Sequence, residues 1–176
     1  MNLLLRLGVL ISERTTGRRM LPARLLAWYP KAAIGAGVLE ALVAHHEPSR
    51  RLLKLVRVAA SITANCAFCV DMNSFEHDRA GLTDAELAAL SGADLAAVGT
   101  FSERELLAIE YARRISSSPL LFPAEFMDAL RRAFTERELV ILATTAAQVN
   151  YWARVVQGLG IPPAGFTEAC RVDLAG

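Results

Sequence analysis

Two cysteines stand three residues apart in the stretch "NCAFCVDMN", residues 65–73, and the chain holds only one other, Cys170. Residues at i and i+3 share one face of a helix and lie within reach of a reversible disulfide. Asn65 is a favoured N-cap residue, so a helix is expected to begin after it, with Cys66 in the first turn. The free amides and the positive dipole end of that turn favour thiolate over thiol. Other readings compete on the residues alone. Free cysteines are common as small buried hydrophobes. A zinc half-site would draw on His77 and a fourth ligand, but no second C-x-x-C and no H-x-x-x-H occurs. A thioredoxin-like site needs a βαβ context, and the chain shows no strand pattern.

The elements that must position this pair are written in helix punctuation. A Ser or Thr followed three residues later by Glu satisfies two free amides reciprocally, and three such boxes occur: Thr83 with Glu86, Ser102 with Glu105 and Thr135 with Glu138. Pro123 suits a first helical position. "YPKAAIGAGVLEALVAHHEPS" predicts a helix over 31–46. "SRRLLKLVRVAASITA" predicts the next, with Leu52, Leu53, Val56, Ala59 and Ala60 forming an apolar stripe about a third of the surface wide. No alternating run bounded by a hairpin turn appears. The expected fold class is all-α, a single domain of seven or eight helices.

Composition narrows the function classes. The chain has 176 residues, 53% of them hydrophobic, and a formal net charge of +1, which suits one globular domain and excludes a disordered chain. An odd cysteine count excludes a framework of several disulfides. Residues 1–58 carry ten Lys or Arg against three Glu, and residues 59–176 carry nine against fifteen Asp or Glu. The arginines of the basic half are scattered among helical apolar positions with no aromatic stacking platform between them, so no nucleic-acid partner is expected, and complementary packing in an assembly accounts for the asymmetry. "MNLLLRLGVLISERTT" is broken by Arg6 and lacks a small-residue cleavage site, so it reads as a mature helix. The apolar segment 139–153 carries Gln148 and Asn150 and falls short of the roughly 20 residues that span a bilayer. A buried core helix, no membrane partner and a cytoplasmic location are expected.

The remaining candidates divide between chemistry and architecture. Lys54, with Arg50, Arg51 and Arg57, reads as a basic face. His77 lies eight residues past Cys69, about 12 Å along a helix axis, and reads as a solvated residue beside Glu76, Asp78 and Arg79. His45 and His46 mark a helix end. Asn150 and Arg154 share one face of the last long helix and suit interior hydrogen bonds, or else an interface or pocket. Trp28, Tyr29, Tyr151 and Trp152 suit core or interface.

"LLKLVRVAASITANCAFCVDMNSFEHDRAGLTDAEL" resembles the core motif of the AhpD-like alkylhydroperoxidase and carboxymuconolactone decarboxylase superfamily. "FSERELLAIEYARRISSSPLLFPAEFMDALRRAFTERELVILATTAAQVNYWARVVQGLGIPP" resembles the rest of that domain. Together they cover about residues 20–163, leaving 1–20 as a helical extension and 164–176 as a tail. The resemblance implies a homotrimer or homohexamer, and a C-x-x-C that reduces hydroperoxides or exchanges disulfides at the expense of an external thiol, with no organic cofactor or metal. The decarboxylase branch lacks the cysteine pair, which favours the redox branch. By the same resemblance Cys69 attacks the peroxide and Cys66 resolves the sulfenic acid. Two positions depart from the pattern. Asn73 stands where the family has a His, and Lys54 where it has a Glu. Asn73 cannot carry a proton, whereas a cationic Lys54 about 6–8 Å from a thiolate would stabilise it. Loss of the relay keeps open a non-enzymatic helical oligomer or redox sensor, and a lactone decarboxylase is a lesser alternative.

Overall fold

Helix α4 (Arg50–Thr63) is buried on nearly every side, with Leu53, Leu55, Val56, Val58, Ala59 and Ala60 at 2% exposure or less. The expected one-third stripe is therefore too narrow. A helix enclosed by others shows apolar residues all round, and α4 is enclosed by α5 (Ala67–Ser74), α7 (Glu103–Ser116) and α9 (Glu136–Gly158). The core joins its apolar residues to Ala108, Ile109 and Ala112 of α7 and to Leu142, Ala146 and Val149 of α9.

The computed structural model describes residues 3–92, 95 and 99–167. Among these it is all-helical, with nine α-helices and a 3-10 turn at Asp78–Ala80. The others are α1 (Leu3–Thr16), α2 (Leu21–Leu26), α3 (Pro30–Val43), α6 (Asp84–Ala89) and α8 (Ala124–Ala133). The count exceeds seven or eight because six-residue helices such as α2 carry too few turns to show a period. No described helix is long and apolar enough to cross a membrane. The three capping boxes close as expected at α6, α7 and α9. Pro123 is the N-cap of α8 and not its first helical residue. α3 ends at Val43, three residues early, so His45 and His46 lie in the α3–α4 connection. The first helix is more than an extension: Glu13 accepts a bidentate pair of hydrogen bonds from Arg24 at 2.6 and 2.8 Å, which ties α1 to α2.

Two of the capping-box glutamates do double duty. Arg51, at the start of α4, donates to Glu86 at 2.7 and 3.2 Å and to Glu105 at 2.6 Å. One guanidinium thus holds the N-termini of α6 and α7 against the central helix. Its hydrogen bonds keep the Glu86 carboxyl at about 2, against an ordinary 4.5. A carboxylate depressed in the folded state contributes stability that is full above the unfolded value and is lost as pH falls toward the folded one. Arg51→Met should therefore cost about 3 kcal/mol at neutral pH, as expected when one partner of a buried pair is removed. It should also flatten the stability profile between about pH 4.5 and 2, as read by urea melts across that range.

Candidate functional site

The cysteine pair sits at a junction between two helices, and the junction differs from the expected one. Asn65 is not an N-cap. It adopts a left-handed conformation with φ 51°, which Asn tolerates better than other side chains. Its amide donates to the Ile62 carbonyl at 2.9 Å and the Cys66 amide donates to the Ser61 carbonyl at 3.2 Å. These are the paired bonds of a Schellman closure, which ends α4 and turns the chain. Cys66 is then the N-cap of α5, and its Sγ accepts from the Cys69 amide at 3.2 Å. Cys69 takes the place expected of Cys66, inside the first turn. The two cysteines form a disulfide with Cα atoms 5.2 Å apart.

Both sulfurs are buried, Cys66 at 0% exposure and Cys69 at 2%, packed with Phe68, Ala153, Val156 and Ile161. Their surroundings are nevertheless unequal. A cavity of about 760 Å³ reaches Cys69 but not Cys66. Its walls come from α1 (Gly8, Val9, Ser12), α2, α3, α5 and α9, from Arg57 of α4 and from the α3–α4 connection. Most lining side chains are apolar, including Leu26, Ala27, Phe68, Met72 and Val149, and among them stand Glu40, His45, His46, Arg57, Asn73, Gln148 and Trp152. This volume suits an organic molecule of drug-like size.

The two substituted relay positions have different fates. Asn73 lines the cavity one turn beyond Cys69, and its Nδ2 donates to Ser61 Oγ at 2.9 Å. Lys54 does not line it. Its ammonium donates to the carbonyls of Asn73 at 3.0 Å and Phe75 at 2.7 Å, closing the C-terminal end of α5. Burial, helped by the nearby Arg57 charge, pushes Lys54 down to about 8. The carbonyl acceptors favour the charged form, so it remains an ammonium at neutral pH. Among the α4 cations, Arg57 rather than Lys54 faces the space in front of Cys69.

His77 is no solvated residue. Its side chain is 14% exposed and spans the Ser74 carbonyl at 3.1 Å and Asp84 at 2.8 Å, joining the end of α5 to the start of α6. It does not line the cavity. Asn150 makes interior hydrogen bonds, donating to Ser116 Oγ at 2.8 Å and the Ala146 carbonyl at 2.9 Å. Arg154 is exposed and does not share that interior, because one turn further on this face has left the core. Trp28 is 81% exposed and Tyr29 62%, so neither fills the core, while Trp152 lines the cavity and donates to Glu40. Cys170 lies outside the described residues. Among those described, no group of three or more His, Cys, Asp or Glu gathers as a metal site requires.

Sequence reasoning missed three residues. His45 lines the cavity, and its buried Nδ1 has no hydrogen-bond partner. Glu40 accepts at Oε1 from Gln148 at 2.7 Å and from Trp152. Asp71, two residues after Cys69, accepts from the amides of Ala164, Gly165 and Thr167 at 2.9, 2.8 and 2.9 Å. That carboxylate straps the C-terminal segment onto the cysteine helix, and Phe166 packs on Phe75 with ring centroids 5.4 Å apart. An acid inside the apolar run "FCVDM" was the available signal.

The arrangement can support thiol chemistry from one side. Opening the disulfide through Cys69 would release Cys66 as a thiolate already facing the Cys69 amide, and a stabilised leaving thiolate speeds exchange.

Comparisons with known proteins agree with this geometry. Residues 35–114 match the carboxymuconolactone decarboxylase family. The uncharacterized protein YnjA of Escherichia coli K12 is 32% identical over 127 residues, 72% of this chain and 65% of YnjA. Among solved structures, an alkylhydroperoxidase AhpD core, an uncharacterized peroxidase-related protein from Ralstonia eutropha JMP134, superimposes with a TM-score of 0.76 at 16% identity. That match covers 90% of this chain and 84% of the other. The debrominase Bmp8 superimposes with a TM-score of 0.74 at 21% identity, covering 92% and 85%. The segment that carries the cysteine motif is thus similar to the carboxymuconolactone decarboxylase family, and the all-helical fold is the one that these AhpD-like neighbours share.

Proposed function

We propose that this protein is a thiol-dependent oxidoreductase in which Cys69 attacks and Cys66 resolves. The observation that carries the reading is the one-sided cavity, which reaches Cys69 and leaves Cys66 sealed. In the peroxidase form of the reaction, the Cys69 thiolate attacks the distal oxygen of a hydroperoxide. An S–O bond forms, the O–O bond breaks and an alcohol leaves with one proton. Cys66 then displaces water from the sulfenic acid, closing the disulfide, and an external thiol returns both electrons. A disulfide substrate would enter by the same route, with Cys69 forming the mixed disulfide.

Reduced protein treated with one equivalent of hydroperoxide should lose two thiols together. Cys66→Ser should stop at a sulfenic acid on Cys69 that a dimedone-type reagent traps, and Cys69→Ser should not react with peroxide at the site. Reaction retained in Cys69→Ser but lost in Cys66→Ser would reverse the roles. An unreactive pair in the wild-type chain would favour the non-enzymatic reading.

Proton supply sets the expected rate. Asn73 faces the cavity but cannot donate a proton to the leaving alkoxide. Turnover should therefore be slow, and Asn73→His should raise it, since general acid–base help is typically worth about 10²- to 10⁴-fold. Lys54→Glu should instead lower stability without raising the rate, because it sets a carboxylate against the carbonyls that Lys54 now caps. Steady-state peroxide assays and thermal melts of the two variants separate these outcomes.

The reading extends to assembly. Ile34, Val38 and Leu42 recur every fourth residue on α3 and are 61%, 53% and 76% exposed, and Trp28 stands near them in sequence at 81%. Apolar stripes of this kind mark interaction surfaces, and we assign this one to a homotrimer or a dimer of trimers. Light scattering should return three or six times the 19.1 kDa chain mass, and Leu42→Glu should reduce it. A wild-type monomer at micromolar concentration would contradict the assignment.

A further inference from the structure

Within the cavity over Cys69, polar groups are satisfied unevenly. The one carboxylate among its described lining residues, Glu40, is turned toward α9, where Oε1 takes the Gln148 amide and the Trp152 indole N–H. Arg57 feels Glu40 only through its field and forms no ion pair among the described residues. Among the described residues its one hydrogen bond is a long one, Nη2 to the Val43 carbonyl at 3.5 Å, and no described carboxylate comes within ion-pair distance of it. A guanidinium carries five donors in a planar fork that matches a carboxylate. Half-buried beside apolar walls with most donors unused by the protein, it is open to a further acceptor.

His45 stands at the same end. Its backbone amide donates to the same Val43 carbonyl, at 3.0 Å, so the His45 backbone and the Arg57 guanidinium meet at one acceptor. Its Nδ1 is buried and unpartnered. Two side chains able to donate thus lack acceptors at one end of a cavity whose remaining walls are mainly apolar and which reaches Cys69.

We infer that this cavity takes molecules with an apolar body and a single carboxylate, the carboxylate received by the Arg57 fork at the end where His45 also lines the wall, and the body lying along the apolar walls. The inference rests on the reading of the cavity as the way to Cys69 and gives that site a substrate class. It assigns Arg57 a binding role that neither Lys54 nor Asn73 fills.

The test compares 4-phenylbutanoate with 4-phenylbutan-1-ol, which share a body and differ in the acid. Trp152 lines the cavity and Trp28 is exposed, so Trp28→Phe protein reports entry through Trp152 fluorescence. Titrations use the oxidised protein, in which no thiol chemistry runs. The acid should bind about 10- to 100-fold more tightly than the alcohol, the gain expected of hydrogen bonds to a charged group. Arg57→Met should abolish that preference, and Arg57→Lys, which keeps the charge without the fork, should retain part of it. Equal affinities in wild type, a preference that survives in folded Arg57→Met, or no saturable change with either compound would each overturn the inference. Because the readout is binding to the disulfide form, any of these results leaves the thiol chemistry to stand or fall on its own peroxide experiment.

Discussion

The site depends on a single backbone reversal. Asn65 in the left-handed region lets α4 close with paired amide–carbonyl bonds and lets α5 begin one residue later, so Cys66 belongs to both helices. This shared residue decides which sulfur meets which environment. Cys66 is locked at the seam with no access, and Cys69 is carried into the first turn, where α5 presents it to the cavity. A residue that resists positive φ at position 65 would strain the turn that sets this asymmetry.

The rest of the fold fixes the two helices that meet there. α4 is held along its length by packing with α7 and α9, and at its start by Arg51, which joins it to the capping boxes of α6 and α7. α5 is too short to be stable alone. It is closed at its N-terminus by Cys66, at its C-terminus by Lys54, and along its side by the strap that Asp71 holds. Three side chains therefore maintain the eight-residue helix whose first turn carries Cys69.

Much of this was legible in the residues, and what was not has physical reasons. The capping boxes, the helical class and the pairing of Cys66 with Cys69 follow from local patterns, which survive folding because their partners are three residues away. The Asn65 assignment failed because Asn suits both an N-cap and a left-handed position, and only the tertiary angle between α4 and α5 chooses. His45, Glu40 and Arg57 were misjudged for another reason. His45 and Glu40 lie on segments distant from the cysteines, and a cavity built from six helices has no signature in any one of them. Lys54 illustrates a third cause, since one position can serve a proton relay or a helix end, and its carbonyl partners are visible only in three dimensions.

Two physical effects point to different cysteines. The N-cap position and the Cys69 amide favour a thiolate on Cys66, whereas the cavity favours reaction at Cys69. In the proposed reaction access decides, because a stabilised thiolate at 0% exposure meets no substrate, and its stability instead makes it the better leaving group. The direct measurement is alkylation of the fully reduced protein with a limiting amount of iodoacetamide, followed by peptide mass mapping of the label. Within the pair, the account predicts label on Cys69 with Cys66 left free. Modification that begins at Cys66 would contradict it.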